Sequence, residues 1–114
     1  MIENVLRDYL ADALDVPVYL VDPEPGSEPD LYVLVEKTGS GEEDLITTST
    51  FAIQSYAKTR LADAAALNAA VRNVMELAVM VDDITSVQLN SDYNFTDTGT
   101  KRPRYQAVYE VTHY

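Results

Sequence analysis

Apolar side chains recur every three or four positions in two stretches of the chain, residues 2–14 and residues 59–81. This spacing is that of a helix with one buried face. Pro17 ends the first helix, because the residue before a proline avoids helical backbone. Thr59 is the expected N-cap of the second helix. The pattern predicts two amphipathic helices, the second with small alanines suited to close packing on a sheet.

Five other segments have the alternation, or the β-branched and aromatic residues, of strands: 16–21, 31–37, 45–56, 84–91 and 104–114. Residues 38–44 read as an acidic turn that joins the second and third strands into a long hairpin, whose polar tip projects beyond the core. Residues 22–30, with three prolines, and residues 92–103 are expected to be loops.

The resulting order, α-β-β-β-α-β-β, groups the strands instead of alternating each one with a helix. This order predicts an α+β fold, a mostly antiparallel sheet of about five strands with two helices packed on one face. The length of 114 residues suits a single domain spanning 1–114. The last two strands are expected to include a sheet edge, and the terminal strand is expected to be bare and available for association.

The net charge of −11 is concentrated at one end of the sequence. Residues 1–44 contain twelve acids and two bases, whereas residues 45–114 contain seven acids and six bases. Such a charge opposes binding to a phosphate backbone. The charge is compatible either with simple solubility or with a surface that must not adhere to nucleic acid.

Most enzyme chemistries are difficult to assemble from these residues. There is no cysteine and only one histidine, His113, which is expected to be structural. We therefore expect no enzyme, cofactor or catalytic residue. No apolar run approaches the ~20 residues of a membrane-spanning helix, and the acidic N-terminus argues against a secretory signal.

Two weaker motifs are also interpreted as structural. Four aspartates near predicted strand ends could collect around a divalent cation, but their spacing matches no calcium loop: Asp82, Asp83, Asp92 and Asp97. Residues 39–41 (GSG) superficially resemble a phosphate-binding turn. They lead into three acids and a strand instead of a helix N-terminus, so that reading fails. No metal site is expected.

The candidate interaction residues lie in two clusters of opposite charge. Lys101, Arg102 and Arg104, followed by Tyr105, form the one basic cluster. We interpret it as an ion-pairing surface for another copy or a partner, with solvation and nucleic-acid contact as alternatives. The acids at 42–44, which are Glu42, Glu43 and Asp44, are at the hairpin tip.

The chain resembles the tail terminator proteins (tail completion, head–tail joining) of long-tailed bacteriophages and prophages. The resemblance lies in residues 51–57 (FAIQSYA) running into the helix at 61–80, and in residues 103–111 (PRYQAVYEV) preceded by Ser91-Asp92-Tyr93. The opening helix followed by a short strand at 16–20 also agrees.

This resemblance implies a structural virion protein and no enzymatic activity. Such proteins form a ring, usually six-fold, on the head-proximal end of the tail tube, where they stop polymerisation and join the head connector. The implied partners are other copies of the chain, the tail tube protein and the connector protein. DNA would pass through the ring without specific binding, past a lumen for which the acids at 42–44 are the candidates.

Two alternatives remain at this stage. One is a stopper on the connector side of the head, and the other is a small acidic module that inhibits an enzyme by imitating DNA. The stopper is also a structural protein, but its partner is the connector-bearing head instead of the tail tube. The second predicts a stable monomer or dimer with its acids on one continuous face.

Overall fold

Two helices cover one face of the molecule. The structure is a computed structural model that describes residues 1–43 and 45–114. Helix α1 (Ile2–Leu14) buries Ile2, Leu6 and Leu10 of its predicted apolar stripe, and its C-cap is Asp15, whose φ of 56° is left-handed. Helix α2 (Leu61–Glu76) lies against it, and the Tyr9 hydroxyl donates a 2.7 Å hydrogen bond to the Val74 carbonyl.

The second helix is shorter than the sequence predicted. Its N-cap is Arg60, in extended backbone and without a side-chain cap, so the assignment of Thr59 as N-cap was wrong. At the other end Leu77 leaves helical backbone (φ −97°, ψ 2°), and a tighter 3₁₀ turn follows at Ala78–Met80. The apolar period continues through this turn, which explains why the pattern alone extended the helix to 81.

The five strands form one sheet in the order β1-β2-β3-β5-β4. They are β1 (Val18–Tyr19), β2 (Leu31–Glu43), β3 (Ile46–Ala57), β4 (Ile84–Asn94) and β5 (Arg104–His113). Strands β1 and β2 are parallel, and the other neighbours are antiparallel. The predicted α+β class, with two helices and a mostly antiparallel sheet, is confirmed.

The hairpin of β2 and β3 differs from its prediction. The expected turn at 38–44 is strand as far as Glu43, because Gly39 and Gly41 pair with the strand-favouring Thr50 and Thr48 of β3. A bulge at residue 38 absorbs the break in register. Asp44 lies outside the described residues.

The C-terminal strand is not bare. Strand β5 lies between β3 and β4 and pairs with both, so that expectation was wrong. Strand β4 runs three residues into the segment predicted as a loop at 92–103 and forms one edge of the sheet. At the other edge β1 pairs only with Val33 and Leu34 of β2. Among the described residues, nothing pairs with the outer side of β4, or with the side of β2 that faces away from β3 beyond Leu34.

The two faces of the sheet are buried by different means. The main core lies between the sheet and the helices and includes Leu6, Phe51, Val71 and Val111. Within residues 1–43 and 45–114, no helix covers the opposite face. A smaller cluster of Tyr32, Leu34 and Tyr56 is buried there, with Tyr19 packed against it.

Candidate functional site

The hairpin tip exposes the acids that the sequence singled out. Glu42 and Glu43 are exposed at the end of β2, and they border a shallow depression of about 490 Å³ that Gly41, Ile46 and Thr48 complete. Leu45 is 87% exposed at the turn, with a left-handed φ of 68°. The tip therefore combines acidic and apolar side chains that the rest of the described chain does not cover.

The basic cluster makes contacts within the chain. Arg102 donates from Nη2 to the carbonyls of Pro29 (2.5 Å) and Asp30 (3.2 Å). Its guanidinium lies 5.1 Å from the centre of the Tyr32 ring, at a distance where cation–π attraction operates. Arg102 thus connects the 95–103 loop to the proline-rich 22–30 loop, which explains how the helix-free face buries Tyr32 without a helix.

Arg104, the first residue of β5, also makes contacts within the chain. Its Nε donates to the Phe95 carbonyl at 2.7 Å, and its Nη1 donates to the Tyr56 hydroxyl at 2.8 Å. The guanidinium also lies 4.3 Å from the centre of the Phe95 ring. Both arginines therefore use guanidinium N–H groups on partners within the chain, and fewer of these groups are available for ion pairs with another protein.

The two other members of the predicted cluster differ in exposure. Lys101 is exposed, with a left-handed φ of 59°, and its N–H donates to the Asp97 carbonyl. Tyr105 is half-buried on β5 opposite Ser55 of β3. The contact predicted for this cluster with a partner remains a prediction, and Lys101 is its most accessible member.

A chain of hydrogen-bonded side chains crosses three strands on the helix-free face. The Tyr56 hydroxyl donates to Oε1 of Gln54 (3.0 Å), and Nε2 of Gln54 donates to Oε1 of Gln106 (2.9 Å). Nε2 of Gln106 in turn donates to the Tyr93 hydroxyl (2.5 Å). The sequence analysis missed this network. The available signal was one glutamine in each of two predicted strands, Gln54 and Gln106.

The loops and the tyrosines of this face enclose a cleft of about 330 Å³. Asp22, Glu28 and Asp97 border it together with both arginines. Burial, reinforced by the neighbouring Tyr56, raises the pKa of Tyr32 to about 12, and burial also raises the pKa of Tyr56. Both hydroxyls therefore stay protonated near neutral pH, and acidic and basic side chains border them in the cleft.

His113 and Asp92 are held by neighbouring side chains. His113 is buried, with its Nε2 2.8 Å from the Ser49 hydroxyl. Asp92 accepts hydrogen bonds from Asn68 (2.7 Å) and Arg72 (2.9 Å) on α2. Within residues 1–43 and 45–114, no group of three or more acids or histidines is arranged to hold a metal ion. In the same residues, no helix is both long and apolar enough to cross a membrane.

Comparison with known proteins does not assign the chain to a family. No protein-family model matches it, and no curated protein is significantly similar. A functional proposal therefore has to come from the surfaces of the chain itself.

Proposed function

We propose that this chain is a structural ring protein of a phage tail, which ends the tail tube at its head-proximal end and joins it to the head connector. One observation carries the proposal: the two outer sides of the single sheet, along β4 and along β2 beyond Leu34, have no pairing partner among the described residues. Different edges of identical copies can meet head to tail, and such a contact closes into a ring when the rotation between copies is suitable. The ring is expected to contain six copies in the assembled virion.

The charge distribution supports the same function. The acids of residues 1–43 lie on α1, in the 22–30 loop, on β2 and at the hairpin tip. A ring can place some of them near its channel. In the ring, acids near the channel keep the DNA from adhering as it passes.

Tail assembly with and without the protein tests the proposal. Electron microscopy of tails made in its absence should show tubes of uncontrolled length, and adding the purified protein should restore a defined end. Binding to connector-bearing heads but not to tubes would instead identify the connector-side stopper. Tubes of normal length in its absence, together with normal joining, would refute both.

Charge reversal tests the role of the hairpin tip. Replacing the acids at 42–44 by lysine should reduce DNA ejection from the particles that assemble, and assembly is counted separately because Glu42 and Glu43 lie on the edge of β2. The control is an equal charge change elsewhere, at the exposed Asp8, Asp12 and Glu24. Equal DNA ejection by the two variants would contradict the placement of the hairpin tip in the channel.

A further inference from the structure

The two unpaired edges of the sheet lie at the same height along the strands. Leu89 of β4 pairs with Tyr109, Tyr109 pairs with Phe51, and Phe51 pairs with Lys37 of β2. At the hairpin end, Ile84 is connected in the same way through His113 and Thr47 to Glu42. The free stretch of β2 from Lys37 to Glu42 is therefore level with β4 from Ile84 to Leu89.

The strand directions favour contact between these edges in a ring. Strands β2 and β4 run in opposite directions, because two antiparallel pairings, β3 with β5 and β5 with β4, follow the antiparallel pairing of β2 with β3. If the ring axis is parallel to the strands, rotation from one copy to the next leaves the direction of every strand unchanged. It places β4 of one copy antiparallel to β2 of the next, which is the more stable type of pairing.

Apolar side chains accompany both edges. A groove of about 400 Å³ lies beside β2 at Val35–Lys37, where Met1 and Val21 are 73% and 75% exposed. Leu89, on the other edge, is 37% exposed and level with Lys37. When β4 of a second copy pairs with β2, Leu89 reaches the height of this groove and can be buried in it.

Charge selects this pairing over a symmetric contact between two β2 edges. Glu36, Glu42 and Glu43 outnumber Lys37 on the free part of β2, so two such edges have the same sign of net charge and repel each other. Residues 84–91 of β4 contain no charged residue. The acidic edge therefore meets a neutral one only in the head-to-tail arrangement.

From this geometry we infer that the copies associate by antiparallel pairing of β4 with β2 of the neighbouring copy, with Leu89 seated in the groove beside Met1 and Val21. This inference deepens the proposed function, because it specifies the contact that closes the ring. Bulges at Ile84/Ser86 and Leu89/Ser91 limit the regular part of β4. Each pairing is consequently weak alone and gains strength when a closed ring makes all of its contacts together.

Disulfide trapping tests the pairing directly, because the chain has no cysteine of its own. Copies carrying Ser40→Cys are concentrated, mixed with copies carrying one cysteine at a position from 85 to 90, and oxidised. We expect mixed disulfides with a two-residue period, the most efficient near Val87, which is level with Ser40. Absence of mixed disulfides, or preferential crosslinking of identical copies, would overturn the inference.

Leu89→Glu tests the apolar contact. Leu89 is partly exposed, so the variant should stay folded while its self-association in sedimentation measurements weakens at least about tenfold, a change of about 1.4 kcal/mol. The control is Leu61→Glu, at a leucine that is 41% exposed and lies at the start of α2, outside both edge strands. Equal association of the two variants, or no self-association of the unchanged protein at any concentration, would contradict the inference.

The outcomes separate this inference from the proposed function. If the β4–β2 disulfides form but the protein does not end tail tubes, the contact is correct and the function is wrong. If the protein ends tubes but the disulfides do not form on them, the function holds and a different surface closes the ring.

Discussion

Leu45 is a residue whose replacement should make the protein more stable. It lies at the turn of the β2–β3 hairpin with a φ of 68°, a region in which a residue with a β-carbon is strained. The left-handed conformation costs an L-residue roughly 1–2 kcal/mol. Since the side chain is 87% exposed, almost no burial compensates for this strain.

The expected gain from Leu45→Gly follows from two opposing terms. Glycine removes the strain, but it makes the unfolded chain more flexible, which costs about 0.5–1 kcal/mol. The two ranges leave a net increase of up to about 1.5 kcal/mol in the free energy of unfolding, centred near about 0.8 kcal/mol. For a domain of this size, the melting temperature should rise by roughly 2–5 °C.

Urea unfolding followed by circular dichroism measures the effect, with an unchanged m-value as the sign that the unfolded state is comparable. Ile46→Gly is the matched control, because Ile46 begins β3 in extended backbone. That variant should lose about 1 kcal/mol, since glycine is unfavourable within a strand. If Leu45→Gly loses as much free energy of unfolding as the control, the left-handed backbone at residue 45 does not strain the folded protein.

Three other predictions concern stability. Tyr9→Phe should lower the free energy of unfolding by about 1 kcal/mol in urea titrations, because it removes the hydrogen bond to the Val74 carbonyl; an unchanged midpoint would show that this bond contributes nothing. Asp92→Ala should cost about 1–3 kcal/mol in the same assay, because it leaves the buried Asn68 amide without its acceptor; Asp92→Asn is the milder control, and equal losses would contradict this reason. Raising the pH above about 10 should destabilise the protein, because Tyr32 keeps its proton to about pH 12 when folded but loses it near 10 when unfolded, so the folded state binds more protons in that interval. In Tyr32→Phe the fall in urea midpoint between pH 9 and 12 should be smaller, and an identical fall would assign the effect to other groups.

The regular elements were predictable because their side chains follow simple periods. The stripe from Ile2 to Leu14 gave α1 its bounds, and the alternation from Tyr105 to Val111 indicated the core face of β5. Patterns of this kind depend only on neighbours along the chain. The pairing of β5 with β3 and β4 on both sides depends on contacts between distant segments, so the sequence wrongly made it a bare strand.

The candidate site was less predictable for the same reason. Charge indicated that Arg102 and Arg104 should lie on a surface, but their partners are carbonyls and rings from segments up to 73 residues away. The acids at 42 and 43 were placed correctly at an exposed tip, because nothing in the neighbouring sequence could bury them. Local composition thus identified the exposed acids and could not reveal how the arginines are bound.

The facing glutamines of β3 and β5 have a consequence for the fidelity of folding. If either strand slipped by one position, its glutamine would turn towards the helices and Phe51 or Tyr109 would turn towards water. An amide without a partner in that apolar layer costs about 1–3 kcal/mol, and the lost aromatic burial adds to it. Gln54 and Gln106 therefore help to fix the register between β3 and β5, which are farther apart in the sequence than any other two paired strands among the described residues.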